Sequence, residues 1–592
     1  MPHHKRFAGR ADDQSKPRGG RKRRSGCLSM SLGFLTLCLA AAAGIWHWVS
    51  SQPEQYVNPD WVGQEKPVFY RGDRLDHSAL DSGEALKLAL TDLQKLIDPG
   101  LVYEEASKSV ILTTKDKVIR MQTDQLTATV NDKPFELQYP AVVQDEDVYV
   151  PLAPIAEWYG LSWKEHNRTG AVRLFKAGDV LQKGQVRTDE NKPERVFRLR
   201  EAPGKREAIL ADVPQGTELH IWGEENGWYR VQMDNGYIGY MNKSDVVLSG
   251  TETVPPVKTE APKTPWKPTG GKIVMAWEHV VNKNPDTKSI PAMAGVNVVS
   301  PTWFHLKDGQ GNLTNKADPA YVQWARGRGL QVWALFSNSF DPAITSEALA
   351  TYDKRMKMIR QLVAFAQTYK LQGINIDFEN VNLSDKDRLT QFVREMAPLL
   401  REQGLVVSID VTVKDGSDNW SRFLDRPALA EAVDYMMVMA YDEHWASSPK
   451  SGSVSSLGWT ESKGIVQLLE EDGIPPSKLV LGVPFYTRIW TEKPDAGGKV
   501  KVSSKAVGME TVRKLLADKG LKPVFLPDIG QNYVEYEENG ALNRIWIEDE
   551  VSMTARAELV RKYDLAGIAA WRRGFEIPDI WGVIEETLKE KP

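Results

Sequence analysis

From Gly271 to the C-terminus, short apolar runs alternate with stretches whose apolar residues recur every three or four positions. The runs are Ile273 to Trp277, Val296 to Pro301, Leu330 to Phe336, Gly373 to Phe378, Val406 to Val411, Tyr435 to Tyr441, Leu479 to Phe485 and Gly567 to Trp571. Between them, spacings such as Leu349, Tyr352, Met356, Ile359, Val363 and Ala366 predict amphipathic helices. Ser384 with Asp387 predicts a capped start for the helix whose apolar face includes Leu389, Phe392, Val393 and Met396. Eight strand-like runs alternating with helices predict an α/β fold, a (β/α)₈ TIM barrel over residues 272–590. About 80 residues separate the seventh and eighth runs, which predicts an inserted α+β subdomain walling one side of the cleft.

Upstream the period changes. Residues 82–177 predict a small α+β domain: a helix over Glu84 to Ile97, then strands such as Ser109 to Thr113, Thr127 to Val130 and Val148 to Pro151. Residues 194–248 read as short strands with two Asn-Gly hairpin signals, Asn226-Gly227 and Asn235-Gly236, among Trp222, Trp228, Tyr229, Tyr237 and Tyr240, which predicts a small all-β barrel. Residues 249–271, with five prolines from Pro255 to Pro268, predict an extended, semi-rigid linker.

The N-terminus has its own signature. Residues 1–26 form a basic tail, and residues 27–49 are long enough, at about 1.5 Å per residue, to cross a bilayer. Basic flanks stay inside, so the expectation is a single-pass signal anchor in the cell membrane with the remainder extracellular. Ala41 and Ala43 leave a cleaved signal peptide open as the other reading. The only cysteines, Cys27 and Cys38, both fall inside this stretch, so no disulfide framework and no cysteine metal site is expected in the folded domains. With 75 basic and 79 acidic residues the charge is nearly balanced, which gives no reason to expect nucleic acid as a partner.

The chemistry is concentrated in the fourth run, Leu371-Gln372-Gly373-Ile374-Asn375-Ile376-Asp377-Phe378-Glu379. Side chains alternate along a strand, so Asn375, Asp377 and Glu379 share one face and Ile374, Ile376 and Phe378 the other. The apolar set must face the helices. The polar set then points into the C-terminal mouth of the barrel, where barrel active sites are built. Carboxylates at i and i+2 lie roughly 6 to 7 Å apart, so each disfavours ionisation of the other and one can remain an acid near neutral pH.

This segment resembles the Asp-x-x-Asp-x-Asp-x-Glu signature of glycoside hydrolase family 18, with Gln372 and Asn375 in place of the first two acids. The resemblance implies Glu379 as the acid that protonates the glycosidic oxygen and Asp377 as the group that orients the substrate's acetamido, whose carbonyl attacks in place of a protein nucleophile. It also implies Tyr441 as a catalytic hydroxyl, and Asn375, Met439, Asp442, Tyr486 and Trp571 as substrate-binding residues. Tyr441-Asp442-Glu443-His444-Trp445 and Ile545-Trp546-Ile547-Glu548-Asp549-Glu550 are similar to the spore and cell-wall N-acetylglucosaminidase branch. Glu443 and Glu548 are expected as solvated loop charges that could reach the cleft. His444 has no second ligand at metal spacing, so neither a metal nor a cofactor is expected.

Val148-Tyr149-Val150-Pro151-Leu152 with Ile155 to Leu161 resembles the copper amine oxidase N-terminal-like domain. One histidine, His166, between residues 80 and 177 is too few ligands for copper. Asn226 to Val231 with Gly236 to Tyr240 resembles bacterial Src-homology-3-like domains, whose partners are often wall peptides, although these aromatics could equally fill a core. The expected activity is hydrolysis of β-1,4 bonds in an N-acetylated cell-wall polysaccharide such as peptidoglycan, with retention. A chitinase, or a glycan-binding protein without catalysis, are the other readings, and Glu379 argues against the last.

Overall fold

The computed structural model describes residues 55–256, 266–268 and 271–589, apart from positions 415 and 496. The expected basic tail and the span 27–49 lie outside the described residues. Among the described residues no helix is long and apolar enough to cross a membrane. The chain forms two compact units, one built on Leu181–Glu252 with residues 55–62, the other on Gly63–Val180 with the chain from Thr253 onward.

The larger unit contains a closed barrel of eight parallel strands. These are β1 (Ile273–Glu278), β2 (Val298–Leu306), β3 (Gln331–Ser337), β4 (Gly373–Asp377), β5 (Val406–Thr412), β6 (Tyr435–Met439), β7 (Leu479–Pro484) and β8 (Gly567–Trp571). Each pairs in parallel with the next, and β8 closes on β1. Two apolar layers follow from the alternation of side chains. Ile374, Ile376 and Phe378 join the shell between strands and helices, while Met275, Trp277, Trp333, Leu335, Tyr435 and Met437 fill the interior. Trp266 closes the floor: it packs edge-on against Trp333 at 6.1 Å and its carbonyl accepts the Tyr435 hydroxyl at 3.1 Å. The expected linker 249–271 is therefore not a plain tether, because Trp266 docks under the barrel and Val246–Thr253 is a strand.

Helix starts are written as Asp followed closely by Pro. Asp318 and Asp341 each accept a backbone N–H of the first turn, and Pro319 and Pro342 occupy the positions where an N–H would go unbonded. The helix Lys386–Glu402 departs from expectation. A 3₁₀ turn, Leu383–Asp385, precedes it, and no side chain caps it, because the Asp385 carboxylate is taken by Ser346 and by Arg388. The long insertion before β8 is as expected: strands Tyr486–Pro494, Val500–Gly508, Val524–Leu526, Gln531–Glu538 and Ala541–Ile547 form one antiparallel sheet with the helix Met509–Lys519.

Residues 63–180 form a small α+β body whose core includes Leu88, Leu93, Val110, Leu112, Ile119, Val150 and Ile155. The expected helix Glu84 to Ile97 is shortened to Leu90–Leu96. Lys87–Ala89 is instead a strand paired with Asp147–Pro151, which buries Leu88, and this tertiary pairing overrides helical periodicity. The five-stranded meander from Val102 to Glu136 packs on the barrel, and Ile111 and Val118 belong to the barrel's own shell. A buried ionic network locks the contact. Arg355 forms a two-pronged pair with Glu395, both bonds 2.8 Å, and a third bond of 3.1 Å to Glu104 of the small body. The Glu104 carboxylate also accepts the Tyr352 N–H at 2.9 and 2.8 Å, supplying the first turn of the helix Tyr352–Tyr369 with an anion.

The smaller unit is a seven-stranded antiparallel sheet curled around Leu199, Val213, Leu219, Val231 and Met241. Asn226 and Gly227 both have positive φ, +49° and +82°, in a two-residue hairpin between Glu225 and Trp228, which is the turn that Asn-Gly favours. Where the chain leaves and re-enters the larger unit, Gly178 N–H donates to the Val254 carbonyl at 3.0 Å and Val254 N–H to that of Asp179 at 2.9 Å. The segment Leu181–Glu252 is thus inserted between adjoining ends of the larger unit, while residues 55–62 join the same smaller unit from ahead of Gly63.

Candidate functional site

The C-terminal ends of the strands enclose a cavity of about 640 Å³. Carboxylates reach it from three adjacent strands: Asp377 and Glu379 from β4, Asp410 from β5 and Asp442 just beyond β6. Its rim carries Phe340 and Trp420, which are 47% and 39% exposed, so an apolar ligand face has something flat to lie against.

Glu379 sits two residues past β4, and Asn338 from the end of β3 holds its backbone. Asn338 Oδ1 accepts the Glu379 N–H at 3.0 Å, and its Nδ2 donates to the Glu379 carbonyl at 2.7 Å. Asn338 is fully buried and also donates to Thr345 at 3.0 Å, so the clamp is rigid. Burial pushes the Glu379 carboxyl well above the usual carboxylate range, and Asp377 and Asp442 push it further. Asp377 and Asp410 behave as a tightly coupled buried pair. Burial raises both, and each is raised again by a neighbouring carboxylate, Asp410 acting on Asp377 and Glu379 on Asp410. Asp377 Oδ1 is buried without a hydrogen-bond partner, a costly arrangement that a ligand donor would relieve.

Tyr441 lies across from these acids. Burial, followed by Asp410, holds its hydroxyl far above the ordinary tyrosine range, so it remains a donor. Tyr486 packs edge-on to it at 6.3 Å and donates to Asp442 at 2.6 Å, while Arg488 lies 3.5 Å from the same oxygen. Trp571 ends β8 with its ring against Trp277 at 6.1 Å and His279 at 5.8 Å. Met439 completes the floor. The backbone bends sharply where strands end: Ser339, Phe340, Asn380 and Asp442 all have φ between +54° and +59°. Non-glycine residues adopt this region at a cost, and such residues gather where a site needs an exact side-chain direction.

Of the residues expected from sequence, Glu379, Asp377, Tyr441, Met439, Asp442, Tyr486 and Trp571 line this one cavity. Asn375 does not. It is wholly buried beneath the acids, accepting from Trp277 at 3.0 Å and Ser300 at 3.2 Å and donating to Asp410 at 2.9 Å. Its place is beneath the cavity, because the strand's inward face points it at the barrel core one layer below Asp377. Glu548 is also corrected: it is buried, paired with Arg556, and bonded to Gln531 and Ser552 at 2.8 Å each. Glu443 accepts the Ser456 N–H at 2.8 Å, and His444 Nδ1 lies 2.8 Å from the Ser453 carbonyl. Neither lines the cavity.

Sequence reasoning missed Asp410 and Asn338. Asp410 carries the same signal that identified β4: in Val406-Val407-Ser408-Ile409-Asp410-Val411-Thr412 the polar residues alternate with apolar ones. Asn338 offers no local signal, since its partner is 41 positions away. Among the described residues no group of three or more His, Cys, Asp or Glu could hold a metal ion.

Three family models match parts of this chain. Residues 307–576 match the family Glycosyl hydrolases family 18, residues 195–247 the Bacterial SH3 domain, and residues 88–174 the Copper amine oxidase N-terminal domain. Uncharacterized glycosylase YvbX of Bacillus subtilis is 24% identical over 49% of this chain and 84% of its own length. Cortical fragment-lytic enzyme of Bacillus anthracis is 25% identical over 43% of this chain, which spans only 58% of that enzyme. Among solved structures, the Bacillus megaterium spore cortex-lytic enzyme SleL is 18% identical, with a TM-score of 0.47 over 63% of this chain and 89% of that one.

Proposed function

We propose, from the premise that the barrel is a family 18 glycosyl hydrolase domain and the protein a glycosidase, that it cleaves β-1,4 bonds of N-acetylglucosamine in peptidoglycan by a retaining, substrate-assisted reaction. The observation that carries this reading is Glu379: a carboxyl clamped by Asn338 at the cavity edge, where burial, then Asp377 and Asp442, raise its pKa.

The steps follow from the positions of the groups. Glu379 gives its proton to the glycosidic oxygen as that bond to the anomeric carbon breaks. The carbonyl oxygen of the 2-acetamido group bonds to the same carbon from the opposite face, forming an oxazolinium ring. The acetamido N–H donates to the unpartnered Oδ1 of Asp377, and the Tyr441 hydroxyl donates to the acetamido oxygen. Water then attacks the anomeric carbon, returning a proton to Glu379 and restoring the acetamido group. Two inversions give retention. Asp442 and Tyr486 hold the sugar, and Trp571 lies beneath it. The relative named Cortical fragment-lytic enzyme is the ground for choosing peptidoglycan over chitin as the polymer. The same proposal places the barrel outside the cell on the membrane anchor 27–49.

The test is turnover of purified peptidoglycan strands and of a chitooligosaccharide by residues 55–592, with products identified by mass. Glu379→Gln should lower kcat by about 10³, within the range for loss of a general acid, while glycan binding persists. Muropeptides ending in reducing N-acetylglucosamine support the proposal. Cleavage of the chitooligosaccharide alone makes the protein a chitinase, and binding without any product leaves a lectin.

A further inference from the structure

The cavity is electrically lopsided. Asp377, Glu379, Asp410 and Asp442 line the side built by β4 to β6, and Lys316 lines the opposite side with residues of β1 and β2. Among the described residues that line the cavity, Lys316 is the only lysine or arginine. It follows the short strand Leu313–Asn315, which pairs antiparallel with the end of β2. Its backbone is fixed on both sides of the α-carbon: its N–H donates to the Trp303 carbonyl at 2.9 Å and its carbonyl accepts Asn284 Nδ2 at 2.8 Å. The ammonium's hydrogen bond goes to the Val280 carbonyl at 3.5 Å, where little is gained. Among the described residues no carboxylate pairs with it.

Two histidines flank this cation, and neither adds a positive charge. His305 places Nε2 3.1 Å from the Thr302 carbonyl, so that nitrogen must carry the hydrogen, and Nδ1 lies 2.8 Å from the Ser337 hydroxyl as acceptor. Burial and then the charge of Lys316 hold His305 below the ordinary imidazole range. His279 is held down by burial, by Arg572 and by Lys316. A lone, half-buried, unpaired ammonium beside neutral imidazoles suits one negative charge on a bound molecule. A neutral N-acetylglucosamine polymer has none to offer.

We propose that Lys316 is a specificity-determining residue that receives a carboxylate carried on the substrate's sugar substituent, so that the cleft prefers an acid-bearing glycan to a neutral one. This rests on the glycosidase reading and names the substrate class within it. Two sources supply the same chemistry in peptidoglycan. One is the lactyl carboxylate of a muramic acid freed of its peptide, and the other is a carboxylate of the stem peptide amide-linked at that position.

The experiment compares kcat/KM of residues 55–592, wild type, Lys316→Met and Lys316→Arg, on three substrates. These are a chitooligosaccharide, strands stripped of peptide by an amidase, and strands with intact stems. The ratio of acidic to neutral glycan should fall about tenfold in Lys316→Met, chiefly through KM, and recover in Lys316→Arg. Whichever acidic strand shows the loss identifies the carboxylate. An unchanged ratio on both acidic strands would overturn the inference. The same ratio is read as binding in a Glu379→Gln background. If the wild type turns over no glycan, the glycosidase reading fails, and the binding ratio still decides the part played by Lys316.

Discussion

At the scale of single residues, Asp377, Glu379 and Asp410 are carboxyls that folding makes expensive to ionise. The acid form of Glu379 must be present for protonation, so activity should decline as pH rises through its elevated pKa. Asp442 is one of the charges that elevates it. Asp442→Asn should therefore move the alkaline limb of the kcat/KM profile to lower pH, measured on a soluble oligosaccharide across pH 4 to 9; a limb that stays in place would remove Asp442 from that role. The Asp377–Asp410 pair gives a stability prediction. Both folded pKa values are raised, so the pair costs nothing below the unfolded carboxylate range of about 4, and stability is lost as pH rises through the folded values. Asp410→Asn should raise the melting temperature at pH 7 to 8 and change it little at pH 3, while lowering kcat. Alternation on β4 made Asp377 and Glu379 legible in the sequence. It made Asn375 legible as inward but not as one layer too deep, because a strand's period gives direction without depth. The Asn338 clamp and the lone charge of Lys316 depend on chain pairing across the barrel mouth, which no local pattern encodes.

At the scale of elements, the eight strands were legible in place, because in a parallel barrel each is a short apolar run bounded by polar turns, though the second runs on to Leu306, five residues past the expected Pro301. Gly567–Trp571 begins and ends where its apolar run does. The one helix start read from the sequence, Ser384 with Asp387, is replaced by a 3₁₀ turn and an uncapped helix. What the pattern could not yield was competition from distant partners, as where Lys87–Ala89 is drawn into a strand by Asp147–Pro151. The helix Tyr352–Tyr369 draws its N-terminal anion from Glu104, about 250 positions earlier in the chain. Removing that carboxylate leaves the first turn uncapped and the buried Arg355 one bond short. Glu104→Ala should destabilise the larger unit by about 2 kcal/mol, the range for a hydrogen bond to a charged group. Glu104→Gln should lose less. Chemical unfolding followed by tryptophan fluorescence checks both, and an unaltered midpoint in Glu104→Ala would mean the network bears no load.

At the scale of the molecule, composition and motifs divided the chain into three folded regions, but the structure groups them differently from their order. Residues 63–180 share a core with the barrel through Ile111 and Val118, whereas Leu181–Glu252 forms a separate unit with residues 55–62. A fragment beginning at residue 271 should therefore aggregate or melt well below the full protein, since it exposes the shell that the meander covers and loses Trp266 from the floor. Removing residues 55–62 together with 181–252, and joining Val180 to Thr253 through a short Gly-Ser link, should leave the melting temperature of the remainder nearly unchanged; a large drop would show that the two units depend on each other. The hydrogen bonds that join Gly178 and Asp179 to Val254 make that excision feasible. They also define a socket. Any compact module whose own termini lie side by side can be exchanged at this point without asking the barrel to refold, so the catalytic body can acquire a new address by recombination while its chemistry stays as it is.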